Sequence, residues 1–320
     1  MPVTDGQLFI YATGGSASGA DLIEIQSGTT PFQVGGQTTP IQRPLVRSYL
    51  NRQAPAVPFQ KFYQQNFTTE IKATAGVPSA DTNLPEIHRL LQASGMDYTS
   101  GSDLHTYTWL ADPNSSATDY QVDARWEELT DGNYYVSTKC NYSFEMTGSA
   151  DAVPTATWSG AGTYAVPVAV DSNLGDDRDA QGPPVIPITA YNIAGASSGV
   201  VIRDWSISSG LQLTQRGALS GTNGYEFPSI FSRADATRVT LTIEAVDETT
   251  KNYFARWAAG TLADVELTLG NGTRTIKFSL FEVAFDAPVI AQGTPNMMTL
   301  AGAASSGNNN ETSSLTIEFG

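Results

Sequence analysis

The sequence predicts a mainly β protein with a flanking short helix. Three observations carry this. Apolar residues make up 40% of the 320-residue chain and charged residues only 15%, while Thr, Ser, Gly and Asn are plentiful. That mixture favours strands and turns over helices. Short segments alternate between apolar and polar residues, and Gly- and Pro-containing turn signals separate them.

Residues 1–60 read as an extended N-terminal arm. Thr13-Gly14-Gly15-Ser16-Ala17-Ser18-Gly19 and Gly28-Thr29-Thr30-Pro31 punctuate it, Pro40, Pro44, Pro55 and Pro58 follow, and Arg43, Arg47 and Arg52 make part of it locally basic. Such an arm is a tail or a strap laid on a neighbour. Residues 61–171 form a first β domain. Phe67 to Ala73 alternates as a strand. The run Leu84–Gly95 reads as a helix, with Pro85 and Glu86 in its first turn, Ile87, Leu90, Leu91 and Ser94 at helical spacing, and Gly95 at its end. Strands are expected at 106–110, 120–129 and 134–147, with Asp131-Gly132 as a hairpin turn, then at 155–159 and 164–170. Alternation places Cys140 on the apolar face of its strand with Tyr134, Val136, Tyr142, Phe144 and Met146, so it reads as a small buried hydrophobe. Residues 172–199, with Pro183-Pro184 and Pro187, read as a linker. Residues 200–320 form a second β domain, with strands at 200–208, 237–246, 262–269, 273–285, 297–300 and 314–319.

A loose internal repeat runs through the two halves. Thr69–Thr74 leads to the Leu84–Ser94 helix, Gly95, Tyr107–Leu110 and the long strand 120–129. Likewise Thr240–Ala245 leads to Lys251–Ala259, Gly260, Asp264–Leu269 and the long strand 276–285. Two fold copies of ordinary domain size fit this pattern.

The search for chemistry leaves little. His88 and His105 have no companion Cys or His at metal-ligand spacing, and no Gly-x-Ser-x-Gly elbow or phosphate-cradling Gly loop occurs, so no enzyme, cofactor or metal is expected. Asp171-Ser172-Asn173-Leu174-Gly175-Asp176-Asp177-Arg178-Asp179 is the one oxygen-rich cluster, and it departs from the calcium-loop pattern. No apolar run approaches the roughly 20 residues of a membrane span, and Met1–Gly6 shows no secretory signal, so the chain is expected in the cytosol of the cell that makes it and on no membrane. With 17 basic against 32 acidic residues and a formal charge of −15, tight binding to nucleic-acid phosphates is disfavoured.

Several stretches resemble the major tail tube proteins of long-tailed, siphophage-type bacteriophages. They are Thr69–Gly76 leading to Leu84–Met96, Glu127–Val136 followed by Lys139–Gly148, Ala156–Tyr164, and the closing Ser314–Phe319. Together they cover most of residues 60–320. The resemblance implies a tail-tube-like fold, a β-sandwich or half-barrel whose inner sheet joins those of neighbouring subunits into a ring, and the repeat above reads as a duplication of that fold within the chain. It further implies rings stacked into a virion tail tube, contacts with other tail proteins at the tube ends, and an acidic lumen that passes double-stranded DNA without binding it. Two copies per chain imply a trimer with pseudo-six-fold symmetry, one copy a hexamer. The carboxylates expected to face the lumen, each on the polar face of its strand, are Asp123, Glu127, Glu145, Glu244 and Glu266. The rival readings are another tail component (terminator, connector or fibre) and a carbohydrate-binding β-sandwich module.

Overall fold

The computed structural model describes residues 6–26, 31–40, 56–74, 76–78, 83–101, 103–110, 120–128, 132–169, 174, 187–217, 225–232, 236–246, 251–270, 274–305 and 313–320. The first half contains β1 (Gly6–Ala12), β2 (Leu22–Ile23), β3 (Phe32–Pro40), β4 (Ala56–Glu70), helix α1 (His88–Ala93), β5 (Met96–Ser100), β6 (His105–Trp109), β7 (Val122–Glu128), β8 (Asn133–Ser149), β9 (Ala152–Tyr164) and β10 (Val168–Ala169). The second half contains β11 (Ile188–Ile193), β12 (Ile202–Ser208), β13 (Gln212–Gly217), β14 (Tyr225–Ser232), β15 (Arg238–Glu244), helix α2 (Tyr253–Ala258), β16 (Ala263–Gly270), β17 (Thr275–Phe285), β18 (Val289–Ala291), β19 (Met297–Ala303) and β20 (Leu315–Phe319).

Strand alternation builds two layers. A long antiparallel sheet runs β3–β4–β9–β8–β12–β15–β19–β18, and β7, β1 and β2 continue from the N-terminal part of β8. A shorter sheet runs β5–β6–β20–β17–β16–β11. One core fills the space between them. Trp205 of the long sheet meets Phe278 of the short one at 5.3 Å between ring centroids, and Trp109 stacks on Phe144 at 5.8 Å. Burying such aromatic and branched side chains supplies most of the favourable free energy of folding.

Strand pairing recurs in the two halves. In the first, the order is β1–β7–β8–β9–β4; in the second, it is β11–β16–β17–β19–β15, all neighbours antiparallel. α1 falls between β4 and β7, and α2 between β15 and β16. Both long strands also turn a corner the same way. The register jumps from Val122↔Cys140 to Ala124↔Ser137 in the first half, and from Ala263↔Val283 to Val265↔Leu280 in the second. The extra residues sit in left-handed conformation, Lys139 at φ 55° and Glu282 at φ 46°. An aspartate on the facing strand caps each: Asp123 Oδ1 accepts from Lys139 N at 2.9 Å, and Asp264 Oδ1 from Glu282 N at 3.0 Å. A bulge of this kind redirects a strand and shifts which face its side chains take.

Several expectations are corrected. Residues 6–23 are not an arm. The unbroken apolar run Leu8-Phe9-Ile10-Tyr11 is buried on both faces, with Leu8 and Ile10 in the main core and Phe9 and Tyr11 against Leu22. β3 and the start of β4 do form a long hairpin, whose tip lies outside the described residues together with Arg43, Arg47 and Arg52. The proposed 172–199 linker contains β11, a strand of the short sheet. The predicted pair at 155–159 and 164–170 is one strand, β9, followed by the short β10. The corner at Lys139 also breaks the predicted face of β8: Ser137 and Cys140 point to the core, whereas Tyr134 and Val136 are only half-buried. The helix of the first half is shorter than its pattern, since Ile87 and its neighbours form a turn before His88.

No gap separates the halves. β12 pairs along the last residues of β8, and the C-terminal β20 pairs with β6. Trp109 ties the second crossing, donating its indole N–H to Thr237 Oγ1 at 3.1 Å and its backbone N–H to Ser313 Oγ at 2.8 Å.

Candidate functional site

The feature that stands out is the outer face of the long sheet. Directly opposed residues in antiparallel strands share a face, so the register lines up Glu70 with Thr155, Thr147 and Ser206, and Thr68 with Thr157, Glu145 and Ser208. The rows continue through Thr240, Thr242 and Asp204 to Thr299 and Met297. The inward residues of the same strands, among them Phe67, Phe144, Met146, Trp158, Ile207, Leu241 and Ile243, are buried. One surface dominated by Thr and Ser and carrying Glu70, Glu145, Asp204 and Glu244 therefore spans both halves. Arg203 pairs with Glu244, and Arg238 with Asp286. The β13–β14 hairpin leans against β8, β9 and β4, and a polar recess at its foot is lined by Ser143, Glu145, Thr157, Ser159 and Ser208.

The five carboxylates singled out in the sequence fall into three places. Glu145 is exposed and Glu244 half-buried, and both lie on this face. Glu266 is on β16 of the short sheet, opposite Ser279, with Lys277 Nζ at 2.7 Å from its Oε1. It faces away from the other two. Asp123 and Glu127 are buried, at 4% and 0% exposure, and neither is open to solvent in the chain. Asp123 is held by two backbone donors, Lys139 N and Gly14 N at 3.0 Å, beneath the segment that follows β1. Glu127 sits 2.5 Å from the Arg125 guanidinium, which also lies over the Tyr134 ring at 4.0 Å. Neither Glu127 oxygen meets hydrogen-bond geometry with that group, so the contact is ionic rather than directional. A polar face in β7 alternation was legible; the Thr13–Gly14 segment bonded over Gln121 and Asp123, and the Arg125 contact of Glu127, were not. Glu70 and Asp204 also belong to the outer face; Asp204 alternates with the buried Trp205 and Ile207, so its side follows from the sequence pattern.

Both histidines lie in one aromatic cluster at the β5–β6 hairpin. His88 Nδ1 is 2.7 Å from the Tyr107 hydroxyl, and His105 Nδ1 is 3.0 Å from that of Tyr98. Burial pushes the His88 imidazole down to about 3, with the neighbouring Arg89 and His105 acting in the same direction. The Cys140 thiol is fully buried and pushed up to about 11, chiefly by desolvation, which leaves it an inert packing group. Among the described residues, no three His, Cys, Asp or Glu side chains gather to hold a metal ion. The Asp171–Asp179 loop lies outside the described residues except for Leu174, which packs near Phe9 and Tyr11. No helix of the described residues is long and apolar enough to cross a membrane.

No protein-family model matches the chain, and neither does any curated protein.

Proposed function

We propose that the chain is a structural subunit of a phage-type tail tube. It assembles with its own copies into stacked rings that conduct double-stranded DNA during ejection, meets other tail proteins at the tube ends, and lets the DNA pass without specific binding. The observation that carries the reading is the repeated five-strand order, with its aspartate-capped corner, spread along one continuous sheet whose outer face is polar. This supports duplication of one tail-tube-like fold within the chain. Three chains then supply six fold copies, a trimer with pseudo-six-fold symmetry in place of a hexamer.

The surface chemistry supports the same reading. A wall of Thr and Ser hydroxyls with Glu70, Glu145 and Asp204, whose Arg203 and Arg238 are each paired with a carboxylate, offers phosphates little counterion release, so DNA slides rather than sticks. The net charge of −15 extends that repulsion over the assembly.

Negative-stain microscopy of the concentrated protein tests the proposal. Hollow tubes or rings are expected, with three chains per ring on averaging. Rings of six chains refute the trimer, and a protein that stays monomeric at high concentration and binds sugars refutes the tube.

A further inference from the structure

We infer that the two open ends of the long sheet, β3 in the first half and β18 in the second, pair with each other between copies of this chain, head to tail. The inference rests on the self-assembly proposed above and adds the joint that makes it.

The chain already contains such a joint. β8 and the run from β17 to β18 correspond: 133–149 and 275–291 are of equal length, turn at equivalent corners, and pair onward with β9 and β19. In the first half the outer edge of residues 145–149 is covered, because β12 of the second half pairs along it from Asp204↔Ser149 to Ser208↔Glu145. In the second half the corresponding stretch is β18, and among the described residues it pairs with β19 alone. The other side of the joint is repeated too. β12 holds the edge of β15, and β3 holds the same edge of β4. β12 is seated on β8, whereas β3 pairs among the described residues with β4 alone. One chain thus carries a filled joint and the two unfilled halves of an equivalent one.

The unfilled halves are marked by apolar exposure. Val289 is 61% exposed, Ile290 49% and Val34 65%. An open strand edge with exposed branched side chains is a template for another strand, and natural proteins leave such edges only where something covers them. A second copy fits because each copy brings both complementary edges, in the antiparallel sense of β12 on β8. The contact is heterologous, using a different patch on each partner, and it closes a ring when the rotation per chain allows. In a closed ring both of these edges are covered.

The test uses two surface variants of the full chain, Val289→Lys with Ile290→Lys, and Gln33→Lys with Val34→Lys. All four side chains are exposed, so unchanged circular dichroism is expected. In sedimentation velocity, wild type assembles, and each variant alone stays monomeric. An equimolar mixture forms a 1:1 heterodimer and nothing larger, since one intact β18 meets one intact β3. Hydrogen exchange of wild type gives a second reading without substitution: amides at 32–35 and 289–291 exchange at least tenfold more slowly in the assembled fraction. Folded variants that assemble as wild type does, or that stay monomeric when mixed, overturn the joint. Tubes formed by the variants leave the tube reading standing and remove the joint. Wild-type chains joined through these edges into assemblies that are not hollow do the reverse.

Discussion

His88 is positioned to make stability depend on pH. Its imidazole is held neutral under the β5–β6 hairpin, hydrogen-bonded to Tyr107 and packed edge-on to Tyr98 at 4.8 Å. Its folded pKa of about 3 lies below the ordinary value of 6.5. Between those values the unfolded chain binds the proton and the folded chain does not, so stability is full above pH 6.5 and declines as pH falls toward 3. At pH 4.5 the loss from this one group is about 2–3 kcal/mol. Carboxylates titrate in the same window, so the informative quantity is a difference. The drop in urea midpoint between pH 7 and pH 4.5 is expected to be smaller in His88→Gln than in wild type, and an equal drop would remove His88 from the account. The corner aspartates give a second prediction at this scale. Asp123 is buried and accepts from two backbone N–H groups, whereas Asp264 is exposed and accepts from Glu282 N. Donors orphaned in a part-buried place cost more than exposed ones, and loss of Asp123 would leave two of them. Asp123→Ala is expected to destabilise by about 2–4 kcal/mol and Asp264→Ala by about 1 kcal/mol, measured by urea unfolding.

Strands β8 and β12 form the seam between the halves, and a glycine sets how closely they meet. Gly148 lies opposite Trp205, and a Cβ there would fall 2.4 Å from the indole Nε1. Trp205 is itself buried against Phe278, so it has little room to move. Gly148→Ala is expected to cost about 1–3 kcal/mol and to red-shift the tryptophan emission; an unchanged midpoint would mean that the seam yields freely. Periodicity decides which strands the sequence reveals. β6, β7, β12, β15, β16, β17 and β20 were legible because each alternates apolar and polar residues over a bounded run, whereas only the end of β4, from Phe67, was. β5, β13, β14 and β18 were not: Met96–Ser100 and Val289–Ala291 are too short or too mixed to show a period, and their strand character comes from the neighbour they pair with. β1 was misread because a run buried on both faces has no alternation to see. Of the outer-face carboxylates, Glu145 and Glu244 were found by alternation alone. Asp123 and Glu127 obey the same alternation, but Asp123 is held by Gly14, more than a hundred positions away, and Glu127 is drawn in by Arg125.

Two strand crossings decide how the whole molecule unfolds. β8–β12 and β6–β20 join the halves through backbone ladders, and Trp109 clamps the second crossing to Thr237 and Ser313. If either half melted first, it would strip a paired edge from the other and expose core shared between them. A single cooperative transition is therefore expected despite the chain length. Cys140 supplies a probe confined to the first half, since its thiol is fully buried and reacts only after that half opens. Ile207→Ala removes buried side chain from the second half, where Ile207 has no exposed surface, and is expected to cost about 2–5 kcal/mol. Because the crossings transmit the loss, the urea midpoint for Cys140 labelling should fall together with the midpoint for circular dichroism, by the same amount. Cys140 that keeps its wild-type protection while the second half unfolds would show that the halves are joined in geometry but not in free energy.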